Sequence, residues 1–210
     1  METPVTASLW CARMMEDVLT ENQDINIVFD SAKSYRFGPV GAGKTAKAMM
    51  ISRVLDPVSP LRDVLIPVDE IRAFDRVVGA RRRHAVIWLD EAGWWVGKEF
   101  ASNRHVKRFR AELQTDRKLG QARMFCTGSI WALTTPFSEW GRVTWRYKSL
   151  DRTTAELYVW NGHVEPAADE YGQFVATHEK IPPPPKEPWT EYEELVLGHV
   201  HQEEECISLI

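Results

Sequence analysis

The run Gly38-Pro39-Val40-Gly41-Ala42-Gly43-Lys44-Thr45 constrains this chain more than any other stretch, because it matches G-x-x-x-x-G-K-[ST]. In that pattern flexible backbone N–H groups wrap phosphates, the lysine pairs with the β and γ oxygens, and the hydroxyl takes magnesium. Average residue usage produces such a match by chance in roughly one chain in a hundred of this length. A loop of this kind needs a strand before it and a helix after it. The helical run Ala46-Lys47-Ala48-Met49-Met50 follows directly.

Further along, Ala85-Val86-Ile87-Trp88-Leu89-Asp90-Glu91 supplies what the loop lacks. The apolar run reads as a buried parallel strand, and an acidic pair at its end lies where parallel strands open onto a ligand crevice. Asp90 is placed to hold magnesium and Glu91 to polarise a water. Read separately, Gly38 to Gly43 is an ordinary turn and Asp90-Glu91 a solvated strand end, but that leaves Lys44-Thr45 unexplained. Together they describe a site for ATP and Mg2+.

With 210 residues and 44% apolar content, the chain suits one compact domain with additions. No apolar run approaches the ~18 residues that span a bilayer, and no basic start with apolar block and cleavage site opens the chain. A cytoplasmic protein is expected. Cys11, Cys126 and Cys206 are too scattered for a disulfide framework or zinc site and read as reduced thiols, Cys126 in the core. The net charge of −4 conceals an asymmetry: from Asp151 onward thirteen acidic residues face three basic ones, while the preceding body carries 23 basic and 17 acidic groups.

The pattern predicts a short helix over Leu9 to Leu19, a strand at Ile25 to Phe29, and a second strand at Ser34 to Phe37 feeding the phosphate loop. A helix from Lys44 to about Val54 ends before Asp56-Pro57, and a strand at Val64 to Pro67 and a helix over Val68 to Val78 follow. Arg81-Arg82-Arg83-His84 falls at the edge of the sheet opposite the acidic pair, as a solvated strand entry or a phosphate-backbone contact. Gly93-Trp94-Trp95-Val96-Gly97 reads as an apolar loop whose tryptophans are buried, in the core or at a subunit interface.

Asn103 to Gly120 reads as a long helix with Val106, Phe109 and Leu113 on one side. From Arg104 to Arg123 there are seven Lys or Arg residues against two acids. A solvated helix face accounts for such charge; an arginine that reaches a neighbour's γ-phosphate is the functional alternative, with Arg117 the candidate and Arg110 and Arg123 next. Ala122 to Cys126 is an apolar strand ending in Thr127-Gly128-Ser129, whose hydroxyls either sense the γ-phosphate or simply make a turn. Arg142 to Lys148 and Ala155 to Trp160 predict a hairpin.

The order of phosphate loop, acidic-pair strand, basic helix with Arg117-x-x-Gly120, and polar strand end resembles the FtsK–HerA superfamily of ring ATPases. The likeness is to its small viral genome-packaging members and to the zonula occludens toxin-like assembly ATPases of filamentous phages. It covers roughly Tyr35 to Arg146. Gly41, Gly43, Lys44 and Thr45 match its phosphate loop, with Gly38 and Ala42 in the same cradle; Asp90 and Glu91 match its magnesium and catalytic acids. Arg117 falls at an arginine that precedes its third core strand. The superfamily usually places a glutamine after the threonine ending that strand, whereas Gly128 and Ser129 follow Thr127 here.

The resemblance implies an α/β fold of the RecA/ASCE-like P-loop NTPase type: a central, mostly parallel sheet flanked by helices, with a C-terminal β-hairpin and extended tail. The expected organisation is an ATPase domain over residues 1–165 and an acidic, proline-containing arm over 166–210. That arm either forms a short helix with Tyr192, Leu195, Val196 and Val200 on one face, which docks on a neighbouring subunit or capsid protein, or extends as a partly disordered acidic tail.

The implied function is a motor that moves double-stranded DNA into a viral capsid. It would work as a homo-oligomeric ring, hexameric or pentameric, in the host cytoplasm or at the virion vertex beside a capsid or vertex protein, without inserting into a membrane. A phage assembly or export ATPase is one alternative, although such proteins usually carry a membrane segment. A monomeric P-loop phosphotransferase or switch is the other. A nucleotide kinase would want an arginine-rich lid after the loop helix, where Met50 to Pro67 offers only Arg53 and Arg62.

Overall fold

The computed structural model describes residues 16–17, 19–21, 23–31, 43–58, 61, 64–65, 83–115, 119–133, 145–159, 175–187, 189–194 and 196. Among the described residues, seven strands form one sheet: β1 (Ile25–Ser31), β2 (Val64–Leu65), β3 (Val86–Leu89), β4 (Ala122–Cys126), β5 (Trp145–Ser149), β6 (Thr154–Val159) and β7 (Val175–Lys180), in the order β2-β3-β4-β1-β5-β6-β7. The first five are parallel, while β6 pairs antiparallel with both β5 and β7. β4 is inserted between β1 and β3, so the strand bearing the acidic pair and β1, the last described strand before the helix at Lys44, are next-but-one neighbours. This mixed α/β arrangement, with helices flanking a largely parallel sheet, is consistent with a P-loop NTPase fold.

Helices cover both faces. On one face, Ile25, Ile27 and Phe29 of β1, Val86 and Trp88 of β3 and Met124 of β4 pack with Ala48, Met49 and Ile51 of α1 (Lys44–Leu55). The period of two along each strand sends Val28, Ile87, Leu89 and Phe125 to the other face. There they meet Trp95 and Val96 of the one-turn helix α2 (Gly93–Val96) and Val106 and Phe109 of α3 (Arg104–Thr115). The spacing of Val106 and Phe109 puts both on the buried stripe of α3, while Arg104, Lys107 and Arg108 are exposed. Phe109 lies 6.3 Å from Phe125, ring centre to ring centre, and so fixes α3 against β4.

α1 begins at Gly43, whose φ of 74° is left-handed, and its carbonyl accepts the Lys47 amide at 3.0 Å. It ends with the Asp56 amide bonded to Ser52 O at 2.7 Å, just before Pro57. The expected strand and helix boundaries at Lys44, Val64, Val86 and Ala122 match these elements, and β5 with β6 forms the expected hairpin. The predicted strand over Ser34 to Phe37, the helix over Val68 to Val78 and residues 9–15 of the first predicted helix lie outside the described residues. β1, longer than expected, lies at the centre of the sheet.

Two sequence expectations differ from the structure. Gly93 to Val96 is a helical turn rather than a loop, and it separates the paired tryptophans: Trp95 is 3% exposed, Trp94 63%. Consecutive helical residues point about 100° apart, so one indole reaches the core while its neighbour faces solvent. Residues 175–180, expected within the arm, form β7 of the sheet. Beyond them, residues 189–194 are helical, as the short-helix reading of the arm has it, and Trp189 and Tyr192 pack against the core on the α1 face. Among the described residues, no helix is long and apolar enough to cross a membrane.

Candidate functional site

The carboxyl ends of β1, β3 and β4 lie side by side, and the start of α1 meets them there. Thr45, in the first turn of α1, donates its hydroxyl to Asp90 Oδ1 at 3.1 Å. Two motifs 45 residues apart are thereby brought to one point. Gly43, Lys44 and Thr45 are in place at the helix start; Gly38, Gly41 and Ala42 lie outside the described residues. A Cβ added at Gly43 would sit 2.8 Å from Arg152 O and 3.0 Å from its Cα, so the turn joining β5 to β6 presses on the phosphate loop where only glycine fits.

Lys47 ties the same turn to the helix. Its side chain is buried, and its ammonium donates to Asp151 O at 2.6 Å. Burial lowers its pKa from 10.5 to about 8, offset in part by the Asp151 carboxylate. Asp151 in turn caps the turn by accepting from the Thr153 and Thr154 amides, each at 2.7 Å, and those bonds hold its carboxyl below the usual range.

Asp90 is buried and its carboxyl is pushed above the usual range by desolvation. Donors oppose that shift: Tyr192 Oη at Oδ2, Thr45 at Oδ1, the Glu91 amide and the Cys126 thiol. Tyr192 comes from the C-terminal helical segment, 102 residues away in sequence. Burial and the Asp90 carboxylate raise its phenol well above the ordinary value, so it stays protonated and donates. Beneath the carboxylate, Trp88 Nε1 donates to Cys126 Sγ at 3.2 Å, and burial pushes the Cys126 thiol far up, making it an inert core group.

Glu91 is solvent-exposed as a residue and has φ 45°. For a residue with a side chain that left-handed conformation costs ~1–2 kcal/mol, strain of the kind that collects at functional turns. Desolvation raises its carboxyl, the Lys44 ammonium lowers it, and the neighbouring Asp90 carboxylate raises it further. Lys44 thus acts electrically on the group that the sequence assigns to water activation. Behind Glu91, the Ala92 amide bonds to Cys126 O at 2.6 Å and the Trp94 amide to Glu91 O at 2.9 Å, fixing the turn.

Thr127 and Ser129 lie at the same end of the sheet with their polar atoms engaged locally. The Thr127 amide bonds to Phe29 O at 2.9 Å and its hydroxyl to Ser129 O at 3.2 Å, while Ser129 Oγ accepts the Trp131 amide at 3.3 Å. Arg117 lies outside the described residues. Arg123, a candidate to reach a neighbour's phosphate, is instead buried at the opposite end of β4, where it pairs with Asp24 at 2.9 Å. Every residue of β4 is buried, so Arg123 is held inside the fold and not offered to a neighbour. Arg110 is half-buried on α3.

Sequence reasoning missed Tyr192, Lys47 and a buried pair beside the site: Arg146 of β5 donates to both oxygens of Asp30, at 2.6 to 3.1 Å. Asp30 also accepts the Ile130 amide at 3.2 Å, joining β1 to the turn after β4. An acid closing the apolar run Ile25 to Phe29 was its one visible signal.

Among the described residues, no group of three or more His, Cys, Asp or Glu is gathered as a metal cage. A hydroxyl and one carboxylate, both hard oxygens, suit a small divalent cation that keeps most of its waters and takes the rest of its ligands from phosphate. The Thr45–Asp90 pair fits Mg2+ on that ground.

No family model matches the chain, and no curated protein does. Among solved structures it is similar to the genome packaging NTPase B204 from Sulfolobus turreted icosahedral virus 2. The complex with AMPPCP superposes with TM-score 0.44 and 13% identity, covering 68% of this chain and 95% of that one. The sulfate complex gives 0.43 and 13%, with 68% and 94% covered. The ATP-gammaS complex gives 0.42 and 13%, with 67% and 94% covered. At such TM-scores and identities, the reading of this chain's chemistry rests on its own residues.

Proposed function

We propose that this chain is an ATP-hydrolysing motor that moves double-stranded DNA into a viral capsid. The observation that carries the hydrolytic part is the Thr45–Asp90 hydrogen bond, which unites the phosphate loop with the acidic-pair strand. In this reading Lys44 and the loop N–H groups of Gly41, Ala42 and Gly43 hold the β- and γ-phosphates. Thr45 and Asp90 would hold Mg2+, which when bound neutralises charge on the phosphate oxygens. Glu91, kept beside Lys44, orients a water in line with the γ-phosphorus and takes up its proton as the new P–O bond forms. The bond to the bridging oxygen breaks and ADP departs with the electron pair. Positioning and electrostatics supply most of the rate.

The finer part rests on the sequence resemblance and on charge. Arg104, Lys107 and Arg108 line the exposed side of α3 and suit phosphate-backbone contacts that carry no sequence preference. Arg117 is proposed to act on the γ-phosphate of a neighbouring subunit in a homo-oligomeric ring. Steady-state ATP hydrolysis measured against protein concentration, with and without linear duplex DNA at low salt, tests the proposal. Turnover per subunit should rise with concentration and again with DNA. Turnover indifferent to both overturns the motor reading and leaves a monomeric phosphotransferase or switch.

A further inference from the structure

Besides the Glu91 amide and the Cys126 thiol, two side-chain hydroxyls hold Asp90. Thr45 occupies Oδ1, while Oδ2 accepts a hydrogen bond from Tyr192, which enters from the chain's own C-terminal segment. The phenol is rigidly delivered: the Tyr192 ring stacks on Trp88 with centroids 5.6 Å apart and planes 12° from parallel, and it touches Trp189 at 5.7 Å. Trp88 is fully buried and belongs to the same strand that ends in Asp90. The segment is tied at its start by the Ile181 amide bonded to Thr153 O at 2.7 Å, and the Pro182 to Pro185 run then carries it across to the helical turn. Trp189 Nε1 donates to Glu193 Oε1 at 2.7 Å within that turn.

A carboxylate on a single rotatable stem swings unless its second oxygen is fixed, and partners behind a metal-binding carboxylate are what fix it. From this geometry we infer that Tyr192 is a positioning residue, which clamps Oδ2 so that Oδ1 stays aimed at the Thr45 hydroxyl and at the cation the two would share. The inference rests on the proposed reading of Thr45 and Asp90 as the Mg2+ site. It gives the C-terminal segment, acidic and proline-bearing, a role within its own subunit. Tyr192 itself touches neither nucleotide nor water in this scheme; it acts through Asp90.

Tyr192→Phe removes the hydroxyl and keeps the ring stack, which makes it the informative variant. Binding of a fluorescent ATP analogue is titrated first in EDTA and then with rising Mg2+, for the full chain, for Tyr192→Phe and for Trp189→Phe. The last removes the Glu193 contact of the arm and keeps both the Tyr192 hydroxyl and an aromatic ring beside it. For Tyr192→Phe the Mg2+ concentration giving half the metal effect should rise about 10-fold, the scale found when an outer partner of a metal ligand is removed. Affinity in EDTA should stay within about twofold by the same reasoning, and Trp189→Phe should keep the parent's Mg2+ response. An unchanged midpoint in Tyr192→Phe overturns the inference, as does a lower one, which would make the phenol an obstacle to the cation. Equal losses with and without metal overturn it too, in favour of a merely structural contact. A parent protein that binds nucleotide with no Mg2+ dependence removes the cation reading of Thr45 and Asp90 and the inference with it, and so separates the two failures.

Discussion

Replacing Lys47 by Met should stabilise the protein relative to the parent at neutral pH more than at alkaline pH. The ammonium is buried beside α1 and meets the carbonyl of Asp151, and its pKa falls from 10.5 to about 8 on folding. Below about pH 8 the ammonium is charged in both the folded and unfolded chain, and the fold bears the full desolvation cost. Between the two values the folded state releases its proton first, so the unfolded state holds more protons and stability rises with pH. Above 10.5 both states are neutral and the cost has gone. The shift corresponds to ~3 kcal/mol, which water reaching the Asp151 side screens to ~2 kcal/mol. Methionine fills a similar volume without charge, so the stability gap between variant and parent should close by about three-quarters of that amount from about pH 7 to about pH 10. Urea unfolding of both proteins at constant ionic strength measures it, because groups common to the two cancel. A gap that stays constant with pH would refute the picture of a desolvated ammonium clamping the turn.

Two further perturbations test the frame around the site. Gly43→Ala places a Cβ 2.8 Å from Arg152 O at φ 74°, and should lower stability by at least ~1–2 kcal/mol while displacing the turn between β5 and β6; an unchanged denaturation midpoint contradicts the close approach. Asp30→Ala strands the buried Arg146 guanidinium and should cost ~3–5 kcal/mol, whereas replacing both partners by apolar residues of like volume should cost far less. Equal losses for the single and double changes would show that the pair is not an isolated buried charge couple.

The elements nearest the chemistry were legible because local signals there agree. Val86 to Leu89 is apolar, short and bounded by a polar entry and two acids, so strand and crevice end could be read together. The same holds for α1, opened by Gly43 and closed at Asp56-Pro57. What the sequence hides is long-range: Tyr192 lies in an acidic, proline-flanked stretch whose composition speaks for an extended arm, and its contact with Asp90 depends on Trp88 offering a flat surface for stacking. Arg123 shows a different limit. Charge counting placed it in a basic segment, yet its strand position turns it inward onto Asp24. Trp94 and Trp95 were alike as composition and differ only through the helical turn that separates their directions. Asp30 and Arg146 are each isolated in sequence, and only the parallel pairing of β1 with β5 makes them partners.

In the proposed function Lys44, Thr45, Asp90 and Glu91 form one nucleotide-hydrolysing site. Phosphate release from ATP with Mg2+, compared between the parent, Glu91→Gln and Lys44→Ala, tests it most directly when nucleotide binding is followed in the same samples. The account predicts at least ~100-fold slower release for Glu91→Gln with nucleotide binding retained, since the amide orients water poorly and cannot take its proton. It predicts loss of turnover in Lys44→Ala. Parent-like release by Glu91→Gln would contradict the assignment.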